Sequence, residues 1–299
     1  MTPFQRVALL GKGYLGSVIL DELVKEQFTV TLFTRSTIPV AEIPSGIVVR
    51  QVDYTSLDNL TAALQGVDVV IVTVSPDVIH KQKVIIDAAI LAGVKRLIPA
   101  EFGAMTSDPV GRSLPVHADA VEIQDYLAEK ADAGEIEYTL FGVGAFLGYV
   151  FTLPIVVEFE KRSARVYDGG ENRFSVSHLP TIARAVIASL RKPAETRNRV
   201  VRVHDGVITQ KRVLDLAKQW TPGETWTETP VDSERELRAV LERIGVEGRN
   251  VANDVLLFKA ALLSGKYGSA YETVDNELLG LGFVSDEELE QIARSIVKL

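Results

Sequence analysis

The glycine spacing Gly11-Lys12-Gly13-Tyr14-Leu15-Gly16 constrains what this chain can fold into more than any other feature. Three glycines alone are a weak signal. Here they follow a β-rich run (Val7–Gly11), open a helical pattern (Tyr14–Gln27, apolar at Leu15, Ile19, Leu23 and Val24) and precede a second strand, Thr29–Thr34. That context makes the spacing a dinucleotide-binding turn. Gly11 permits the tight turn, Gly13 lets backbone approach a pyrophosphate, and Gly16 lets helix and strand pack closely. The helix start offers unpaired N–H groups and a positive dipole end to phosphate oxygens. Lys12, Tyr14 and Leu15 complete the loop that faces the ligand.

The rest of the first half repeats this rhythm. Ile47–Val52, Val69–Val74, Arg96–Pro99 and Tyr138–Val143 read as strands; Leu57–Leu64, Lys81–Ala92 and Ala118–Ala133 read as helices, the last stopped by Gly134. Apolar runs separated by helices predict a parallel sheet covered on both faces, a doubly wound α/β Rossmann architecture. After about residue 150 the pattern changes. A strand and turn (Arg165–Tyr167, Gly169-Gly170), a helix (Thr181–Leu190), a strand (Arg199–Val203) and a helix (Gln210–Lys218) follow. Ser233-Glu234-Arg235-Glu236 and Ser285-Asp286-Glu287-Glu288 read as capping boxes, each opening an amphipathic helix. The expected organisation is a Rossmann domain over residues 1–155, with 173–206 returning to it. A smaller helix-rich, substrate-binding portion covers 156–299, and the substrate lies in the cleft between the two.

Composition removes several functions. The chain has no cysteine, which excludes disulfides, thiolate metal sites and cysteine nucleophiles. A net charge of −8 argues against direct nucleic-acid binding, which leaves a basic footprint. The four histidines, His80, His117, His178 and His204, have no metal-ligand spacing. No stretch approaches the roughly 18 apolar residues of a membrane span, and Met1–Arg6 lacks the apolar core of a signal peptide. A cytoplasmic protein is expected.

The end of the second strand separates the two nicotinamide cofactors. An NAD site places an acidic residue there to hold both ribose hydroxyls. This chain has Thr34-Arg35-Ser36-Thr37, with no carboxylate to repel a 2′-phosphate. Arg35 can grip that phosphate, and Lys12 adds charge, so NADP(H) is the expected cofactor; the competing reading is a solvated surface arginine.

With these residues in place, the sequence resembles the NmrA-like / isoflavone-reductase-like family of atypical short-chain dehydrogenases. The resemblance runs through the glycine loop, Val52-Asp53-Tyr54, the segment Ala92–Gly103 with its Pro99-Ala100-Glu101-Phe102-Gly103 element, and Tyr138-Thr139. It continues through Phe146-Leu147-Gly148-Tyr149 to Asp275-Asn276-Glu277-Leu278-Leu279-Gly280. It implies that Asp53 lies near the adenine, Val74 and Ser75 near ribose and phosphates, and Gly144, Ala145 and Phe146 near the nicotinamide.

Two departures bear on activity. The family resemblance implies serine where Ala100 stands, and a lysine at the helix start where Ala120 stands. Ala120, Ile123 and Leu127 share one helix face, while Asp119, Glu122, Asp125 and Glu129 line others. Lys130 lies about 80° off the Ala120 face and more than two turns away, so it is no replacement. His117, three residues before Ala120, is the candidate catalytic group for proton transfer, and a loop or capping histidine is its competing reading. Glu101 is read as a loop tie rather than a base. An NADPH-dependent oxidoreductase acting on a small aromatic or polyketide-like molecule is the first functional expectation. A redox-sensing regulator with a protein partner, or a non-redox isomerase or cyclase that keeps the cofactor as a fixture, are the alternatives.

Overall fold

In the computed structural model, which describes residues 4–35, 39 and 43–297, strand and helix alternate through the first half of the chain. The first elements are β1 (Arg6–Leu10), α1 (Tyr14–Lys25), β2 (Thr29–Thr34), β3 (Val48–Gln51), α2 (Leu57–Ala63), β4 (Val69–Val72), α3 (Gln82–Leu91) and β5 (Arg96–Ile98). Next come β6 (Phe102–Gly103), α4 (Pro109–Arg112), α5 (Ala118–Asp132), β7 (Glu137–Gly142), β8 (Ala145–Phe146) and α6 (Leu147–Thr152). The remainder comprises β9 (Ser163–Tyr167), β10 (Arg173–Ser177), α7 (Leu179–Arg191), β11 (Arg199–Arg202), β12 (Gly206–Thr209) and α8 (Gln210–Trp220). It closes with β13 (Thr227–Val231), α9 (Ser233–Glu247), α10 (Val251–Leu263) and α11 (Asp286–Val297).

The main sheet runs β11-β7-β5-β4-β1-β2-β3 with every pairing parallel, and β6 joins beside β7. Its central strand β4 is buried along its whole length, as a strand with helices on both faces must be. One face packs Leu9, Ile71 and Ile98 against Ile19 and Leu23 of α1 and Ile182 and Val186 of α7. The other packs Leu10, Val70 and Leu97 against Ile85 and Ala89 of α3 and Ile123 and Leu127 of α5. Chain beyond residue 178 therefore rejoins this sheet, through α7 beside α1 and β11 beside β7. A separate core of Phe151, Tyr167, Phe174, Trp220 and Leu257 lies among α6, α8, α10, the β12-β10-β8 sheet and the β13-β9 pair.

Several boundaries differ from the sequence expectation, each for a local reason. Helix α1 stops at Lys25 because Gln27 takes φ 61°, which no helix accommodates. The helix read from Lys81 starts at Gln82, since Pro76–Lys81 forms a tighter 3-10 turn. The capping box assigned to Ser233 is a correction: Asp232 caps α9, accepting the Arg235 N–H at 2.8 Å. Ser233 instead gives its N–H and hydroxyl to Asp168, and Glu236 pairs with Arg165. At α11 the reciprocal box is present: the Ser285 N–H reaches Glu288 Oε2 at 2.8 Å, and the Glu288 N–H reaches Ser285 Oγ at 3.2 Å.

Candidate cofactor and active site

The glycine loop lies at the carboxyl end of β1, where ligands bind in open parallel sheets. Its shape is enforced by backbone crowding. Gly11 has φ 105°, and a Cβ on Gly16 would sit 2.4 Å from the Gly11 carbonyl oxygen and 2.5 Å from Thr73 Oγ1. The Thr73 hydroxyl donates to the Gly11 carbonyl at 2.9 Å, and the Gly11 N–H donates to Phe33 O at 3.1 Å. Thr73, the one polar residue in the run Val69–Val74, thus pins the loop to β4, a role not read from the sequence.

Gly13 is different, since an added Cβ would meet nothing within 4 Å. Helix α1 begins there with no side-chain cap and no acidic residue in its first turn. Uncapped N–H groups beside open space and without competing carboxylate fit a pyrophosphate. Residues Gly11–Gly16 would hold it.

At the ends of β2 and β3 a cavity of about 350 Å³ is lined by Arg35, Asp53, Tyr54, Asn59, Val78 and Lys81, among others. Asp53 is fixed by the Thr55 hydroxyl and N–H, both donating to Oδ1, and the hydroxyl bond chiefly holds its pKa below the usual carboxylate range. The Tyr54 hydroxyl donates to Phe33 O; burial pushes its pKa up to about 12 against the pull of the Arg35 charge. Lys81, the last residue of the 3-10 turn, is a second cation here that the sequence did not single out. Thr34 is buried at the strand end and Arg35 is exposed beside the cavity, whereas Ser36 lies outside the described residues. Val74 is half-buried and Ser75 exposed just past β4. A larger cavity, about 730 Å³, opens at the opposite end of the sheet beside Phe4, Lys95 and Glu137. Those residues precede or begin their strands, so it cannot serve the glycine loop.

Gly144 follows β7, and Ala145-Phe146 forms β8 against Val176 and Ser177 of β10. The Phe146 ring lies 5.5 Å from Tyr149, which stacks on Tyr14 of the glycine loop at 4.7 Å and 13°. An aromatic wall therefore joins the start of α1 to α6.

Helix α5 presents Ile123 and Leu127 inward, with Ala120 half-buried one turn earlier and Asp119, Glu122, Asp125 and Glu129 exposed. Lys130 is at the far end, bonded to Glu135. His117 is buried just before α5, its Nδ1 2.8 Å from the Gly111 carbonyl and its ring edge-on to Phe258. It makes no side-chain cap to the helix. A carbonyl only accepts, so Nδ1 carries the proton and Nε2 the lone pair. Burial lowers the pKa of this imidazole. His117 is therefore a neutral ring that can take a proton at Nε2 but has none there to give.

Ala100 gives its N–H to Gln82 Oε1 at 2.7 Å. Glu101 is buried, accepting from the Thr106 hydroxyl and the Gly103 N–H; burial pushes its pKa up to about 7. In the unfolded chain it would titrate near 4.5. Between these values the unfolded state has lost a proton the fold keeps, so stability falls as pH rises through this window. The expected loss is about 3 kcal/mol, complete by about pH 7. Urea unfolding of wild type and Glu101→Gln at both ends of the window should show the variant gaining that amount relative to wild type; parallel curves would contradict it.

Fold and site together define a Rossmann protein built for a nicotinamide dinucleotide. Residues 11–193 match the family model described as NAD(P)H-binding, and the chain belongs to that family, in its isoflavone-reductase-like branch. Oxidoreductase aprR of Aspergillus flavus is 33% identical over 98% of this chain and 99% of its own. Oxidoreductase poxI of Penicillium oxalicum is 32% identical over 75% of this chain and 72% of its own. Among solved structures, an isoflavone reductase superposes with a TM-score of 0.74 at 22% identity, covering 97% of this chain and 99% of that one. AtPrR2 with NADP+ and (+)pinoresinol gives 0.79 at 20% identity, covering 99% and 100%. At these identities the likeness is one of fold.

Proposed function

We propose that the protein is an NADPH-dependent oxidoreductase of the isoflavone-reductase-like type, acting on a small aromatic or polyketide-like molecule. The near-full-length likeness to an oxidoreductase carries this reading. Residues 1–155 with 173–206 form its cofactor-binding unit and 156–299 its substrate-binding portion, with the substrate between them. Gly11–Gly16 hold the pyrophosphate, Asp53 the adenosine, Arg35 and Lys12 the 2′-phosphate, Val74 and Ser75 the ribose, and Gly144–Phe146 the nicotinamide. When bound, the cofactor supplies hydride; the protein supplies position and electrostatics. Ala120 stands where the family's lysine is expected and cannot move a proton. Water delivers the proton to substrate, or His117 does after Nε2 has been charged. A cytoplasmic location is part of this reading.

NADPH oxidation with a panel of ketones, imines and enones tests it. Turnover with at least one member is expected. Ala120 favours one second reading, a regulator that senses cofactor redox state and passes it to a protein partner. Absence of turnover, together with unequal affinities for oxidised and reduced cofactor, would replace the first reading with the second.

A further inference from the structure

Tyr271 lies outside every strand and helix, 127 residues beyond Gly144, yet its hydroxyl accepts the Gly144 N–H at 3.0 Å. The hydroxyl proton is shared between the carbonyls of Ala104 at 2.9 Å and Gly103 at 3.1 Å. One buried oxygen thus ties the loop leaving β7 to the turn leaving β6. The tyrosine is itself held. Its N–H donates to Ser175 Oγ at 2.9 Å, that oxygen lies 3.0 Å from His204 Nδ1, and the two rings are parallel within 8°. Gly144 has little freedom to move elsewhere: it sits at φ 67°, and a Cβ there would be 2.3 Å from the Ser175 carbonyl. Its N–H is consequently aimed at the tyrosine, and the next two residues, Ala145 and Phe146, leave it as β8.

We infer that Tyr271 is a positioning residue for the nicotinamide end of the cofactor, setting the Gly144–Phe146 loop against the Gly103–Ala104 turn. This rests on the cofactor reading above. Burial raises the hydroxyl's pKa, so it keeps the proton that both carbonyls share. Removing the oxygen leaves the Gly144 N–H and the Ala104 carbonyl without their partner in the interior, while the Gly103 carbonyl keeps the Val143 N–H at 3.1 Å, and the loop has to shift to recover what is lost.

Tyr271→Phe keeps the ring and its stacking. Two ligands separate the ends of the site: NADPH spans both, whereas 2′,5′-ADP has no nicotinamide. The variant should bind NADPH about tenfold more weakly, the equivalent of one buried hydrogen bond, and 2′,5′-ADP as wild type does. The fluorescence of NADPH bound to the variant should move back toward that of the free cofactor. Ser175→Ala, which removes the acceptor for the Tyr271 N–H, should reproduce the pattern more weakly and serves if Tyr271→Phe does not fold. Unchanged NADPH affinity, or equal weakening of both ligands, overturns the inference while leaving the cofactor reading intact. A wild-type protein that binds neither ligand overturns both.

Discussion

Gly16→Ala should lower NADPH affinity by about a hundredfold and cost stability as well. The added methyl would lie 2.4 Å from the Gly11 carbonyl oxygen, a backbone atom that cannot swing aside. Relief requires separating α1 from the glycine turn, or driving the Thr73 hydroxyl, 2.5 Å from the same methyl, off its bond to Gly11. Overpacking of this kind costs roughly 1–3 kcal/mol, and the dipole end of α1 moves off the phosphates. Gly13→Ala supplies the contrast. Its backbone is extended, with φ −88°, and its methyl would meet no protein atom. The fold should therefore melt as wild type does while NADPH binding still falls, because the methyl takes space meant for the pyrophosphate. Thermal melts and fluorescence titrations of both variants check this. A Gly16→Ala protein that binds normally would contradict the packing account, and a Gly13→Ala protein that binds normally would place the pyrophosphate elsewhere.

The second large effect is at the other end of the cofactor. Arg35→Ala should weaken NADPH by about tenfold to a hundredfold and leave NADH nearly unchanged. A charge-assisted hydrogen bond is worth roughly 1.5–3 kcal/mol, and each 1.4 kcal/mol is a factor of about ten. Lys81 lines the same cavity and keeps part of the positive field, so the loss should approach the lower figure in the single variant. Isothermal titration with each cofactor measures the ratio. Equal weakening of both would mean that Arg35 supports the fold of the pocket rather than reading the phosphate.

What the sequence made legible was local. The glycine loop, the apolar strand runs and Arg35 at a strand end are readable because their meaning depends on neighbours a few residues away. Thr73 was within reach, as a single hydroxyl in an apolar strand that needs a partner. Tyr271 was not, since its partners Gly144 and Ala104 are 127 and 167 residues distant. Helix α10 was also invisible: Leu257 and Ala260–Leu263 are buried on several sides, so no amphipathic stripe announces it. Two-residue strands such as β8 carry no periodicity at all, and β13, Thr227–Val231, is polar and contains Pro230. For His117 the sequence supplied the position, but the bond to Gly111 that fixes its tautomer is a tertiary fact.

The glycine loop and Arg35 together make one central claim, that this Rossmann site is built for a 2′-phosphorylated nicotinamide dinucleotide. Titrating the unaltered protein with NADPH and with NADH under identical salt tests it most directly. NADPH should bind at least about tenfold more tightly than NADH. NADH binding as tightly as NADPH, or more so, would contradict it.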